Sequence, residues 1–215
     1  MRLKVNEIFY SIQGESSFAG RPCVFIRLTG CNLRCSYCDT QYAYQDGEYM
    51  DIADILKKVS CFGCRIVEVT GGEPLIQEGT PYLIKSLLNA GFDVLLETNG
   101  TKDISVVDEK CIKILDVKCP FSGESDKNDL NNLTRLGSRD EIKFVIGDRG
   151  DFDFAKDILK SYGIIPFRPN PVHFSPVYGI MDPADLSEWI LKEGLEVRLN
   201  LQLHKIIWGG HKRGV

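Results

Sequence analysis

Three cysteines lie close together in residues 30–40, which read G-C-N-L-R-C-S-Y-C-D-T. Cys31, Cys35 and Cys38 follow the spacing C-x3-C-x2-C, and thiolates that close together are typical ligands of one metal centre. A structural zinc ion takes four protein ligands, whereas a [4Fe-4S] cluster bound by three cysteines leaves one iron free for a substrate or cofactor. The spacing therefore predicts an iron–sulfur cluster with one open iron.

The same cysteines also fit a simpler interpretation as core residues. Residues i, i+4 and i+7 share one face of an α-helix, and free cysteine packs in cores like a small hydrophobic residue. However, Gly30 and Asn32 are poor residues for the start of a helix. With 8 cysteines in 215 residues, this spacing also rarely arises by chance, so we prefer the cluster interpretation.

The composition restricts the class of protein. A length of 215 residues with 43% hydrophobic content suffices for one domain, which we expect over residues 1–215. The net charge of −4 argues against a broad basic surface, so we expect no direct nucleic-acid binding. The apolar runs are shorter than the roughly 20 residues of a membrane helix, and no signal core begins the chain, so we expect no membrane. Clustered cysteines predict metal binding in a reducing compartment, the cytoplasm.

Segments of strand and helix length alternate along the chain and must position these cysteines. Strands are predicted at 5–10, 23–28, 65–70, 92–98, 112–117 and 141–146, with a proline-interrupted strand at 164–168 and 171–174 and a final apolar run at 197–203. Helices are predicted at 51–58, 81–89, near 106, 129–136, 151–162 and 183–192. The alternation favours a parallel sheet of βαβ units, with too few strands for a closed eight-stranded barrel. We expect an α/β fold, an open partial (β/α)6-type barrel whose site lies at the carboxyl ends of the strands.

The cysteine segment, placed after an apolar strand, resembles the signature of the radical S-adenosylmethionine superfamily. Three further segments make the resemblance narrower: F-Y-S-I-Q-G-E-S-S-F-A-G-R-P at 9–22, the C-D-T that closes the cysteine segment, and L-Q-L-H-K at 201–205. Together they resemble the 7-carboxy-7-deazaguanine synthase family. These segments span nearly the whole chain.

The resemblance implies an enzyme in which a reduced [4Fe-4S] cluster cleaves S-adenosyl-L-methionine and the resulting 5′-deoxyadenosyl radical removes a hydrogen from the substrate. The implied substrate is 6-carboxy-5,6,7,8-tetrahydropterin, which loses ammonia and becomes 7-carboxy-7-deazaguanine for queuosine and related 7-deazapurines. It further implies Mg²⁺, a homodimer and a one-electron reductant of the flavodoxin or ferredoxin type. No catalytic residue is implied beyond the cluster and the cofactor.

The resemblance also implies which residues contact the cofactor. The G-G-E element would contact its amino group through Gly72, supported by Gly71. The other implied contacts are Tyr37, Cys38, Asp39, Asp116, Val117 and Lys118, although this chain has Asp-Val-Lys where many members of the family have Ser-Pro-Lys. Residues 175–177, Ser-Pro-Val, could also contact the cofactor or form a plain turn. By themselves, the two glycines are also typical of a tight turn, and Tyr37 could simply shield the cluster.

The implied substrate contacts are Ile12, Gln13, Gly14, Glu15, Arg27 and Thr70. Glutamine and glutamate can hydrogen-bond a pterin edge, and an arginine can bind a carboxylate through two hydrogen bonds, although Arg27 could instead pair on the surface. The hydroxyl of Thr40 is a suitable oxygen ligand for Mg²⁺, as the resemblance implies, while its position alone favours a helix cap. Gln202 and His204 match the closing motif, but a lone histidine is more often structural.

Other cysteines leave alternatives open. Cys61, Cys64, Cys111 and Cys119 could form a zinc or second cluster site, although core packing is favoured for Cys23, Cys111 and Cys119. An activating enzyme for a glycyl-radical protein is a second function, and it would need an exposed docking groove. A non-catalytic electron carrier or zinc module is a third, and a carrier would need a fourth cluster ligand such as Cys61 or Cys64.

Overall fold

The computed structural model of the chain describes residues 1–164, 170–210 and 212–215. The strands are β1 (Arg2–Ile12), β2 (Pro22–Leu28), β3 (Glu48–Asp51), β4 (Ile66–Gly71), β5 (Asp93–Thr98), β6 (Ile112–Val117), β7 (Glu141–Ile146), β8 (Val172–Pro176) and β9 (Arg198–Leu199). The α-helices are α1 (Ile52–Ser60), α2 (Thr80–Asn89), α3 (Arg149–Ser161), α4 (Pro183–Glu193) and α5 (Leu203–Trp208). None of these helices has the length and apolar character needed to cross a bilayer.

The strands form one sheet in the order β3-β1-β2-β4-β5-β6-β7-β8-β9. Strand β2 and the strands from β4 to β9 run parallel to one another, whereas β1 and β3 pair antiparallel at one edge. The edge strands β3 and β9 do not pair with each other in the described part of the chain, so the barrel stays open. The predicted open partial barrel is confirmed.

Two hydrophobic cores cover the helix-facing side of this sheet. Successive side chains of a strand point to opposite faces, so Val24 and Ile26 of β2 alternate with residues of the other face. These two side chains pack in a core with Ile55 of α1 and Leu83 of α2. A second core lies beside α3 and α4, where the rings of Phe144, Phe152 and Phe174 meet edge to face at 5.6–5.7 Å. Burying each of these side chains contributes about 1.5–3 kcal/mol to the free energy of folding.

Several elements differ from the sequence-based predictions. Strand β3 was not predicted, and the apolar run at 197–203 divides into the two-residue strand β9 and the start of α5. The helices predicted near 106 and at 129–136 are short 3-10 helices, Ile104–Val106 and Leu130–Thr134. Asp103 and Asp129 cap the starts of these two helices, where their side chains accept hydrogen bonds from backbone N–H groups. The strand predicted at 164–168 lies outside the described residues, apart from Ile164.

Candidate active site

A cavity of about 780 Å³ lies at the carboxyl ends of the parallel strands, on the face opposite the helices. Many of the strand residues that reach it are polar: Arg27 of β2, Glu68 and Thr70 of β4, Glu97 of β5, Asp116 of β6 and Lys143 of β7. Phe9, Phe25 and Val145 add apolar surface. Every site residue predicted from the sequence lines this cavity except Val117. The side chain of Val117 lies on the other face of β6, within the core beside α3.

The three cysteines of the C-x3-C-x2-C segment line one wall of this cavity as free thiols. Their segment is an irregular loop, so the interpretation as one helix face is wrong. Hydrogen bonds to the segment after β6 fix this loop in place. The N–H of Arg34 donates to Glu124 Oε1 at 2.6 Å, and the N–H of Ser36 donates to the Ser122 carbonyl at 3.0 Å. The N–H of Leu33 also donates to Cys31 Sγ at 3.4 Å.

The donor set fits an iron–sulfur cluster better than a single ion. Within residues 1–164, 170–210 and 212–215, no three histidine, cysteine, aspartate or glutamate side chains converge on one point as the ligands of one ion would. A [4Fe-4S] cluster is larger, and each cysteine binds a different iron, so its sulfur ligands lie apart. Burial raises the pKa of Cys35 to about 11, so the free thiol keeps its proton until a metal displaces it.

Glycines at the end of β4 allow this strand to contact the cluster loop directly. A Cβ atom at Gly72 would lie 2.2 Å from the Gly30 carbonyl oxygen and 2.6 Å from Cys31 Cβ. A Cβ at Gly71 would lie 2.3 Å from the Leu28 carbonyl oxygen. Only glycine permits such a close approach of two backbones. The pair therefore places backbone groups of β4 beside the first cysteine, which a tight turn alone would not require.

The side chain of Glu73 has a structural role next to these glycines. It is fully buried and accepts hydrogen bonds from the N–H of Leu75, the hydroxyl of Thr98 and the N–H of Asn99. These bonds connect the ends of β4 and β5 beneath the cluster loop. Asn99 in turn donates to the side-chain oxygen of Asn32 within that loop, at 3.2 Å.

Polar atoms without a partner lie on the side of the cavity near Cys35. Lys118 Nζ lies 2.8 Å from Asp116 Oδ2 and 6.0 Å from the centre of the Tyr37 ring. The Tyr37 ring stacks on Phe121, with 6.4 Å between ring centres. The Tyr37 hydroxyl and Asp116 Oδ1 are buried without a hydrogen-bond partner among the described residues. A bound polar ligand would satisfy such atoms.

The guanidinium group of Arg27 is oriented by its neighbours. Arg27 Nε donates to Glu7 Oε1 at 2.7 Å, and the Tyr42 hydroxyl donates to the same oxygen at 2.9 Å. The Arg27 side chain is only 17% exposed and lies over the rings of Phe9 and Tyr42. Arg27 is therefore not a surface-paired residue, and its two terminal nitrogens form no hydrogen bond within the described part of the chain.

Thr40 and Asp39 form a group of oxygen atoms next to the last cysteine. Thr40 precedes the 3-10 helix Gln41–Ala43, but its side chain makes no capping hydrogen bond. Its hydroxyl instead donates to Asp39 Oδ1 at 2.8 Å, while Lys205 Nζ lies 2.5 Å from Asp39 Oδ2. Burial disfavours the charged form of Asp39, but the ammonium group of Lys205 outweighs this effect and lowers the pKa to about 2.

The loop after β1 is fixed by the segment before α5. Gln202 Nε2 donates to Glu15 Oε1 at 2.8 Å, and the N–H of Leu203 donates to the Gly14 carbonyl at 3.0 Å. A Cβ atom at Gly14 would lie 2.2 Å from His204 Nδ1, so any larger residue here would force the histidine ring to move. Gln202 and His204 both line the cavity, and they close the gap between the two ends of the open barrel.

Comparison with known proteins identifies the family. The sequence profile of the radical SAM superfamily matches residues 25–162. A 7-carboxy-7-deazaguanine synthase of Chlorobaculum tepidum is 45% identical over 216 residues, which cover 99% of this chain and 97% of the relative. The synthase of Koribacter versatilis is 41% identical over 99% of this chain and 100% of the relative. The chain belongs to the 7-carboxy-7-deazaguanine synthase family.

Solved structures agree with membership of this synthase family. The crystal structure of QueE from Escherichia coli superimposes with a TM-score of 0.77 at 26% identity, covering 94% of each chain. Streptococcus suis SuiB bound to S-adenosylmethionine gives a TM-score of 0.55 at 16% identity, over 80% of this chain and 44% of that one, and shares the fold alone. As a radical SAM enzyme, a member of the family uses a [4Fe-4S] cluster and S-adenosylmethionine.

A charged network beneath the synthase cavity was not predicted. Lys143 Nζ lies 2.6 Å from Glu15 Oε2, 2.7 Å from Glu97 Oε1 and 3.9 Å from Asp116 Oδ2. Glu68 accepts a hydrogen bond from Gln13 Nε2 in the same network. Burial disfavours the charged form of Glu15, but the ammonium group of Lys143 outweighs this and lowers the pKa to about 2. A charged residue in the interior of a mostly apolar strand, as Glu68 is in I-V-E-V-T, was the sequence signal for Glu68, Glu97 and Lys143.

The remaining cysteines of this synthase family member do not form a second metal site. Cys111 and Cys119 are fully buried and pack in different hydrophobic cores. Cys61 is exposed and donates to the Lys57 carbonyl at 3.2 Å, while Cys64 donates to the Pro22 carbonyl at 3.3 Å. Of residues 175–177, only Val177 lines the cavity.

Proposed function

We propose that the chain converts 6-carboxy-5,6,7,8-tetrahydropterin into 7-carboxy-7-deazaguanine and ammonia. The observation that carries this proposal is one cavity with three free thiols on one wall and a preoriented arginine and a glutamine–glutamate loop on the others. A volume of about 780 Å³ is typical of ligand sites. The product would supply the biosynthesis of queuosine and related 7-deazapurines.

The residues that would hold the cofactors follow from the geometry of this cavity. Cys31, Cys35 and Cys38 would bind the cluster. When bound, the reduced cluster and S-adenosylmethionine supply a 5′-deoxyadenosyl radical that removes a hydrogen atom from the substrate. The unpartnered Tyr37 hydroxyl and the Asp116–Lys118 pair would contact polar groups of S-adenosylmethionine. The implied contacts through Cys38, Asp39, Gly72 and the backbone of Val117 belong to the same proposal.

The opposite side of the cavity would bind the substrate. Gln13 Oε1 accepts a hydrogen bond from the N–H of Glu15 at 3.0 Å, which fixes the loop that also contributes Ile12 and Gly14. This loop and Thr70 of β4 would contact the pterin rings. Arg27 would bind the carboxylate through its two free terminal nitrogens, because Glu7 already occupies Nε.

Replacing Arg27 by alanine is expected to weaken binding of the pterin. Loss of a charge-assisted hydrogen bond costs about 1.5–3 kcal/mol, which corresponds to roughly 10- to 150-fold in the dissociation constant. Cleavage of S-adenosylmethionine without product formation should persist, because the side of the cavity with the three cysteines is unchanged. Equilibrium binding of the pterin to the reconstituted enzyme measures the effect. An Arg27→Lys variant keeps the charge but not the two parallel donors, so its affinity for the pterin should lie between those of the wild type and Arg27→Ala. Equal affinity of all three proteins would contradict the assignment.

We further propose that Thr40 binds Mg²⁺ together with substrate oxygens. Its hydroxyl is free of any capping bond and neighbours the ionised Asp39, and Mg²⁺ usually takes few protein ligands. Thr40→Ala should therefore lower the stimulation of turnover by Mg²⁺, while Thr40→Ser should retain it because the hydroxyl remains. Initial rates measured against Mg²⁺ concentration test this. If all three proteins respond to Mg²⁺ equally, Thr40 is not a ligand.

We extend the proposal to the partners that the family resemblance implies. These are a homodimer and a one-electron reductant of the flavodoxin or ferredoxin type. Cytoplasmic localisation is supported by eight cysteines without a single disulfide, which is typical of a reducing compartment.

The proposed function is tested by an anaerobic assay of the reconstituted protein. S-adenosylmethionine, a reductant, Mg²⁺ and 6-carboxytetrahydropterin are supplied, and 5′-deoxyadenosine and the deazapurine are followed by mass spectrometry. Formation of 7-carboxy-7-deazaguanine is expected. If 5′-deoxyadenosine forms without it, the substrate assignment is wrong and an activating enzyme for a protein substrate becomes the better hypothesis. If neither forms despite an intact cluster, an electron carrier becomes the better one.

A further inference from the structure

Glu68 is a buried carboxyl group at the floor of the cavity for which no role has been assigned. It belongs to β4, two residues before Thr70, and its exposed fraction is 3%. Its Oε2 atom accepts a hydrogen bond from the side-chain amide of Gln13. Its other oxygen, Oε1, has no hydrogen-bond partner among the described residues. This atom is not completely enclosed by protein atoms. Because the residue lines the cavity, Oε1 is the atom that a bound substrate can reach.

The charges around Glu68 favour a neutral carboxylic acid at this position. Four carboxyl groups lie around the single ammonium group of Lys143, namely those of Glu15, Glu68, Glu97 and, at 3.9 Å, Asp116. Lys143 forms ion pairs with Glu15 and Glu97, at 2.6 and 2.7 Å, and none with Glu68 in the described part of the chain. A buried carboxylate without a cation and beside two like charges is costly, and it avoids this cost by retaining a proton. Burial, followed by repulsion from Glu97 and Glu15, indeed raises the pKa of Glu68 well above its usual value.

We propose that Glu68 is the proton donor to the nitrogen that leaves the substrate as ammonia, an inference that rests on the proposed function. The carbon–nitrogen bond breaks with its electron pair on nitrogen, and the amino group takes the Glu68 proton and departs as ammonia. The resulting Glu68 carboxylate then takes the proton from the carbon–hydrogen bond that the ring loses as it becomes aromatic. The carboxyl group ends neutral, as it began, and the step consumes no oxidant or reductant.

Two features of the site suit this role. The amide of Gln13 bonds one oxygen and so leaves the O–H of the acid directed at the cavity through the other. The ion pair with Lys143 lowers the pKa of Glu15 to about 2, so Glu15 stays charged and cannot supply the proton. Burial raises the pKa of Glu97, but its carboxyl group bonds the Lys143 ammonium group at 2.7 Å, whereas Glu68 has no such cation among the described residues. A proton donor that acts in the rate-determining step contributes roughly 10²- to 10⁴-fold to the rate.

The protonation of Glu68 can be measured without turnover. The infrared difference spectrum of the reconstituted enzyme minus its Glu68→Gln variant should contain the carbonyl band of a protonated carboxylic acid, which shifts in D₂O. Glu193→Gln is the control, because Glu193 is paired with Lys156 and Arg149 away from the cavity and its pKa is lowered, so this variant should keep the band. If wild type and Glu68→Gln show no such difference at neutral pH, Glu68 is ionised and the proposal is wrong.

The role of the proton is tested with the same variant. Glutamine keeps the size of the side chain and can still accept the bond from Gln13, so pterin affinity should be nearly unchanged. Release of ammonia should fall at least about 100-fold, and a rearranged isomer of the substrate, equal to it in mass, should accumulate. Glu68→Asp, which retains the acid, should recover part of the rate.

The outcomes distinguish this inference from the proposed function. If Glu68→Gln forms the deazapurine at the wild-type rate, the proton comes from elsewhere and the inference is wrong while the function stands. If pterin affinity falls in proportion to the rate, Glu68 only binds the substrate and the inference is wrong. If wild-type enzyme forms no deazapurine, the proposed function is wrong and the inference falls with it.

Discussion

Replacing Cys35 by alanine is expected to abolish both cluster assembly and product formation. Cys35 lies between Cys31 and Cys38 in a loop that hydrogen bonds hold against neighbouring segments, so no other thiol can take its place. Two remaining cysteines leave the cluster with too few protein ligands. Iron and sulfide content, together with the visible absorption of the reconstituted protein, measure the first effect. Formation of 5′-deoxyadenosine measures the second.

Cys61→Ala is the matched control for this experiment. Cys61 is also a partly accessible free cysteine, but its thiol bonds the Lys57 carbonyl in α1 and does not line the cavity. This variant should retain full iron content and activity. A loss of the cluster in Cys61→Ala would instead indicate a fourth cysteine ligand and favour an electron carrier. Full iron in Cys35→Ala would contradict the assignment of the cluster to the C-x3-C-x2-C segment.

Replacing Lys143 by methionine is expected to destabilise the fold strongly. Methionine has a similar volume, but the change leaves the carboxylates of Glu15 and Glu97 buried without their cation. Removing one partner of a buried ion pair costs about 3–5 kcal/mol. For a chain of this length, each kcal/mol shifts the thermal midpoint by about 2–4 °C, so we expect a decrease of roughly 6–20 °C. Differential scanning calorimetry of the reconstituted protein measures it.

Lys156→Met separates the effect of burial from the effect of charge. Lys156 in α3 also contacts two carboxylates, Asp153 and Glu193, but its side chain is 30% exposed, against 6% for Lys143. Solvent screens such a pair, so its loss should cost at most about 1 kcal/mol. Equal decreases of the thermal midpoint in the two variants would show that the buried network around Lys143 has no special contribution to stability.

Much of the fold could be predicted from local patterns in the sequence. The alternation of β-branched and polar residues located β6 and β7 at the bounds that the structure has, and it located most other elements to within a few residues. Local patterns failed to give the type and length of short helices. The segments that follow Asp103 and Asp129 form 3-10 helices where α-helices were predicted, because most of the stability of a helix comes from tertiary packing rather than from its local sequence.

The cluster site is a property of the sequence itself. Its three cysteines lie within eight residues, so their spacing alone brings the thiols to one loop, and the residues that the family motifs predicted for the site all line the cavity, with one exception. Val117 is the exception, because the alternation of a strand directs it to the opposite face. The same alternation, applied to residues 116–118, could have separated it from its neighbours.

The charged floor of the cavity was decided by the tertiary structure alone. Glu15, Glu68, Glu97 and Lys143 are separated by up to 128 positions, the difference between 15 and 143, and nothing in their local sequence relates them. They meet because strands β4 to β7 are neighbours in parallel register and because the segment before α5 presses the loop of Glu15 against them. Strand order and register depend on packing over the whole sheet. The protonation of Glu68 depends on them in turn, because a shift of the register of β4 by one residue would direct the Glu68 side chain to the other face.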